Sequence, residues 1–174
     1  AWWFYVLARH LARADNITRI LDIKYYMILP SVQAVGSALD MVQWASVLRS
    51  CSAFEAFRRT RRGDLDLVRV VDYLIRDADF PRSVRYAVGV AEQCLARIGP
   101  GDGAPAVAAA HELLRALRED LVAADAKAII ASGLHEYLDG IQLRLEAIHG
   151  AVQAAYIDYG PEPASAAAPA QSQA

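Results

Sequence analysis

Long apolar runs are missing from this 174-residue chain. The longest, such as 104–110, are short and rich in alanine, far below the roughly 20 residues that a membrane-spanning helix needs. An excess of one charge is also missing: 18 Lys and Arg face 20 Asp and Glu, for a formal net charge of −2. That balance excludes a general nucleic-acid binder, which needs cations in excess against the phosphates. Cysteine is confined to Cys51 and Cys94, inside amphipathic runs and without metal-ligand spacing, and no signal peptide precedes them. Both read as reduced core residues of a cytoplasmic protein. Lysine is nearly absent, with only Lys24 and Lys127 among the cations, a bias that reads as GC-rich bacterial coding more than as selection for arginine chemistry. Strict apolar/polar alternation between turn signals does not occur, so no strand competes with the helical periodicity. What is abundant is apolar surface: 55% hydrophobic residues against 22% charged ones exclude a disordered chain and suit one domain with a real core.

The periodicity predicts an all-α bundle of about six helices. Over 2–29, Leu7, Leu11, Ala14, Thr18, Leu21, Tyr25 and Ile28 recur at steps of three and four, the stripe of an amphipathic helix roughly 40 Å long that Pro30 closes. A second helix is expected over 39–61, its end crowded by Arg58, Arg59, Arg61 and Arg62 before Gly63, which reads as a helix terminus and not a nucleic-acid patch. Asp64 or Asp66 caps a short third helix ending near Asp77, and Pro81 suits the first position of a fourth over 82–98. After the loop 99–105 come a fifth helix over 106–123 and a long sixth over 127–156, with Gly133, Gly140 and Gly150 as weak points or close helix contacts. The long first and last helices are expected to be antiparallel members of the bundle. The expected organisation is one helical domain over 1–159 and a disordered tail over 160–174, where only small residues, Pro, Gln and Ser remain. The chain opens on Ala1 with aromatic residues already at helical pace, which reads as a fragment of a longer protein.

Few residues assemble a chemical motif. His135-Glu136 begins like the helical zinc-protease pattern, but Asp139 stands four residues on, so two imidazoles are not paired and a solvated or hydrogen-bonded His135–Asp139 pair is the simpler reading. The segment 99–103 is no phosphate loop, since it follows no strand and precedes no Lys-Ser or Lys-Thr. No metal and no cofactor are implied. On the first helix, Arg9, Arg13 and Asn16 share a face beside a second polar strip of Asp15, Arg19 and Asp22. Such a surface binds an anion, forms an ion-pair network between helices, or is simply solvated; the residues alone leave all three open. Arg82 and Arg85 fall in the first turns of the fourth helix, where the dipole disfavours cations. Either Asp77 and Asp79 compensate them, or a phosphate or carboxylate ligand does.

Several blocks carry a family resemblance. Leu7-Ala8-Arg9-His10-Leu11-Ala12-Arg13-Ala14-Asp15 with Thr18 to Tyr25, then Gln43-Trp44, Val47-Leu48-Arg49-Ser50 and Phe54 to Arg59, resemble in order and spacing the bacterial alpha-E domain family. Phe80-Pro81-Arg82-Ser83-Val84-Arg85 and Gly133-Leu134-His135-Glu136-Tyr137-Leu138 match two later blocks, so the resemblance covers about residues 2–158. That family is all-helical, of unknown function, and named for a Glu-Arg motif. Its members are usually longer, and this chain resembles their C-terminal half. The chain departs at the naming residue, because Ala12 stands where the motif has Glu while Arg13 keeps the Arg.

The resemblance implies a genomic context of circularly permuted ATP-grasp ligases and transglutaminase-like peptidases, hence work in amide-bond formation or peptide modification. The expected role is an accessory or partner-binding helical subunit, since nothing in the sequence forms a nucleophile or a phosphate loop. The alternatives are a stand-alone enzyme acting on an anionic substrate held by clustered Arg, with Asp15 or Asp22 as general base, and a purely structural bundle. The candidate ligand or partner residues are Arg9, Arg13, Asp15, Asn16, Arg19, Asp22, Arg82 and Arg85, with His135, Glu136 and Asp139 as weaker ones.

Overall fold

A computed structural model of the chain describes residues 1–28, 38–61, 63–99 and 104–157. The expected tail 160–174, Pro30 with the connection after it, and Arg62 lie outside them. Seven helices are described: α1 Trp2–Ile28, α2 Ala38–Ser50, α3 Phe54–Thr60, α4 Leu67–Val71, α5 Val84–Ile98, α6 Ala104–Ala123 and α7 Ala126–Tyr156. No strand occurs among the described residues, so the all-α expectation holds.

α1, α5, α6 and α7 close a four-membered ring in which each helix packs on two of the others. Side chains fix their directions. Phe4 near the start of α1 meets Tyr156 at the end of α7, ring centroids 5.1 Å apart, while Asp22 near the other end of α1 meets His135 early in α7. Those two helices are therefore antiparallel, as expected. Trp3 lies under Arg97 at the end of α5, and Arg13 reaches Pro81 just before its start, so α5 is antiparallel to α1 as well. The expected stripe of α1 is buried from Leu7 to Leu21, but Val6, His10 and Ile17 are buried too. A helix covered by two neighbours needs a wider apolar arc than one stripe. Thr18, fully buried, donates its hydroxyl to the Asp15 carbonyl, which removes the cost of burying it.

The expected second helix is two helices. α2 stops at Ser50, Ser52 takes a left-handed φ of 51°, and the N–H groups of Ser52 and Ala53 donate back to the carbonyls of Arg49 and Leu48. That pair of bonds is the Schellman stop, here with Ser at the position glycine normally takes. Asp66 is the residue that caps α4, accepting from the Arg69 N–H at 2.9 Å, and the helix widens into a π-type turn over Asp72–Arg76.

The fourth sequence-predicted helix also starts later than expected. Ser83 is the cap of α5, its hydroxyl accepting from the Tyr86 N–H at 3.0 Å, so Pro81 and Arg82 precede the helix. A serine hydroxyl satisfies an orphan N–H there, which proline does not. Asp125 caps α7 in the same way. Gly133 breaks α7 with φ 119° and ψ 103°, a backbone that side-chain-bearing residues rarely adopt. At Gly140 and Gly150 an added Cβ meets nothing within 4 Å, so neither marks a close helix contact.

Candidate functional site

The start of the site is the helical face of α1 that α5 and α7 leave uncovered. Arg9, Ala12, Arg13, Asn16, Ile17 and Ile20 recur at helical spacing along one side of a cleft of about 430 Å³. The stop of α2 supplies the opposite side with Ser50, Cys51 and Ser52, and Arg82 enters from the loop before α5. Arg9 and Arg13, one turn apart on α1, are thereby gathered with the sequence-distant Arg82 around one opening.

Among the described residues, none that lines this cleft is a carboxylate. Among the described residues no salt bridge involves Arg9, Arg13 or Arg82. Arg13 donates from Nη1 to the Pro81 carbonyl and Arg82 from Nη1 to the Ser52 carbonyl, both at 3.1 Å. These bonds aim the guanidinium groups without neutralising them. Arg9 stacks over the Tyr5 ring, 5.5 Å from its centroid. Burial pushes the Arg13 guanidinium below its ordinary value, and the neighbouring charges of Arg9 and Arg82 add to the shift. The contrast with Arg61 is instructive. It also lines clefts, but carries Asp77 at 2.7 Å and Asp72 at 3.4 Å.

The thiol in the cleft is not an activated nucleophile. Cys51 is buried, and that burial pushes its thiol up to about 12 against the opposing pull of Arg82. A thiol with that affinity for its proton is not a thiolate near neutral pH.

The other sequence candidates go elsewhere. Asn16 lines the cleft. Arg85 does not; its Nη1 donates to the Arg76 carbonyl at the end of the π-type turn, at 3.3 Å. Asp77 and Asp79, one of the two partnerships open for Arg82 and Arg85, form no ion pair with either arginine among the described residues. Asp77 instead holds Arg61 and accepts the N–H groups of Asp79 and Phe80. Asp15 pairs with Arg19 at 2.8 Å along the helix, as its spacing suggests. Asp22 faces α7, where its Oδ1 lies 2.8 Å from His135 Nδ1. The sequence spacing offered only Asp139 as a partner for His135; the structure gives its Nδ1 a tertiary one on α1. Asp139 and Glu136 remain exposed nearby, and the Glu136 carboxylate lies over the Gly133 backbone. Neither Asp15 nor Asp22 lines the arginine cleft. Among the described residues, no three His, Cys, Asp or Glu stand together to hold a metal ion, and no helix is long and apolar enough to cross a membrane.

Sequence reasoning missed the α2 side of the cleft. Ser52 carries no glycine or proline signal, and its left-handed backbone is visible only once the Schellman bonds are formed. No curated protein and no solved structure matches the chain. A family model does match, over residues 1–157 and so across every described element. The chain thus belongs to the Alpha-E family, described as a predicted alpha-helical domain with a conserved ER motif.

Proposed function

We propose that this Alpha-E chain is an accessory, partner-binding helical subunit of a cytoplasmic ATP-grasp ligase system that forms amide bonds or modifies peptides. In that reading the cleft of Arg9, Arg13 and Arg82 holds an anionic group of the substrate or partner. A transglutaminase-like peptidase belongs to the same proposed setting. The observation that carries the reading is the convergence of three arginines on one opening that no carboxylate lines among the described residues. The protonated, buried Cys51 and the diversion of Asp15 and Asp22 into ion pairs elsewhere favour binding over chemistry at this site. The ligase partnership itself rests on the genomic context implied by the resemblance.

The test is ADP release by the ATP-grasp ligase encoded beside this gene, measured with and without the protein over a panel of amines and carboxylates, together with a pull-down of the pair. Binding with stimulated turnover is the expected result. Absence of both removes the reading. One observation favours a structural alternative: Arg13 and Arg82 each tie two segments together through a backbone carbonyl. If Arg13→Gln costs stability and leaves ligase binding intact, the arginines are struts and the bundle is structural.

A further inference from the structure

Resting on the reading of the arginine cleft as an anion site, we infer that the cleft takes a phosphoryl group, and that Ala12 is the residue that leaves it open. The donor inventory sets the ligand class. Arg9, Arg13, Arg82, Asn16 and Ser52 line the same opening; Ser50 lines it too, but its hydroxyl is already donated to the Ser46 carbonyl. An ionised carboxylate offers about four lone-pair positions and one negative charge. A phosphoryl group brings about −1.5 to −2 charge and three strong acceptor oxygens, which suits three cations better. Arg13 and Arg82 spend one Nη1 each on a backbone carbonyl, and the rest of each planar fork remains to grip a tetrahedral oxyanion from two sides. Ile17 and Ile20 give the same cleft an apolar wall against which the body carrying the group can lie.

Ala12 lines this cleft between Arg9, three residues back, and Arg13, the next residue. A glutamate at that position, as the family's Glu-Arg motif has it, lies on the same helix face as Arg9 and puts a permanent negative charge among the arginines. With alanine, the charge is left for a ligand to supply. Arg85 is outside the site, since it serves the Arg76 carbonyl.

The experiment is calorimetric titration of the whole chain with inorganic phosphate, pyrophosphate and AMP, with acetate as the single-charge control, in wild type, Ala12→Glu and Arg82→Gln. Saturable binding is expected, at least about tenfold tighter for phosphate than for acetate, with about a tenfold loss in each variant, the scale of one charge-assisted hydrogen bond. Ala12 is exposed on α1, so Ala12→Glu is expected to keep the helical circular-dichroism spectrum and the melting temperature. AMP binding tighter than phosphate identifies a phosphoryl group carried on a larger body, and equal affinities identify free phosphate; either supports the site. Phosphate binding no tighter than acetate, or Ala12→Glu binding phosphate like wild type, overturns it. Phosphate binding without ligase stimulation removes only the accessory reading, and ligase stimulation without phosphate binding removes only this inference.

Discussion

Asp77→Ala is the substitution that the structure singles out for a large effect outside the cleft. The Asp77 side chain is only 13% exposed. Its Oδ1 accepts the N–H groups of Asp79 and Phe80 at 2.9 and 2.8 Å, and its Oδ2 accepts from Arg61 at 2.7 Å. Truncation strands the part-buried Phe80 N–H, which in cap positions costs about 1 kcal/mol. It also removes a partly screened charge-assisted bond worth roughly 1–1.5 kcal/mol, discounted because Arg61 is partly exposed and keeps Asp72. The expected loss is about 2–3 kcal/mol. Asp79→Ala, two residues on and exposed, is the control, expected to change stability by less than about 0.5 kcal/mol. Urea unfolding followed by circular dichroism, with linear extrapolation at a common slope, reads both. Burial pushes the Asp77 carboxyl up, but the Arg61 bond and the two N–H groups outweigh it and hold the carboxyl below its ordinary 3.8. A depressed folded-state value means that the stabilisation is present above the unfolded value and disappears as pH falls through the folded one. The stability gap between wild type and Asp77→Asn is therefore expected to be full at pH 6 and to close below about pH 4. Equal effects of Asp77→Ala and Asp79→Ala, or a gap that widens in acid, refute the reasoning.

Two further outcomes follow from local geometry. The His135 imidazole is raised above 6.5, first by its bond to Asp22 and further by Asp22, Glu136 and Asp139 charges against partial desolvation. Its contribution to stability is therefore expected below about pH 6.5 and to fade as pH rises through the folded value, with Asp22→Asn lowering the titration midpoint of the His135 ring by proton NMR; an unchanged midpoint sinks the pairing. Gly133→Ala is expected to destabilise by about 1–3 kcal/mol, because its φ of 119° is a backbone that side-chain-bearing residues rarely adopt. Gly140→Ala, in ordinary helix with open space around it, is expected to stabilise by about 0.5–1 kcal/mol; thermal melts that rank the two the other way exclude the kink.

What the sequence determined by itself is whatever a single helix expresses locally. The stripe from Leu7 to Leu21, a cap at Asp64 or Asp66, the Asp15–Arg19 pair and the all-α class all follow from spacing and side-chain chemistry within a few residues. The family, too, was legible in short blocks such as 7–15, because each block is a run of a few consecutive residues. Only the tertiary structure decided the rest. The α2–α3 break rests on a left-handed serine whose cost is met by two backbone bonds, and no residue type announces it. Asp77 holds Arg61, and His135 holds Asp22, because packing brings groups distant in sequence within hydrogen-bonding reach. The cleft belongs to the same class. Arg9 and Arg13 were visible on one helix face, but their meeting with Arg82 and Ser52 depends on how α2 stops against α1 and on where Ser83 starts α5. Proximity between elements is set by packing, and a one-dimensional pattern does not carry it.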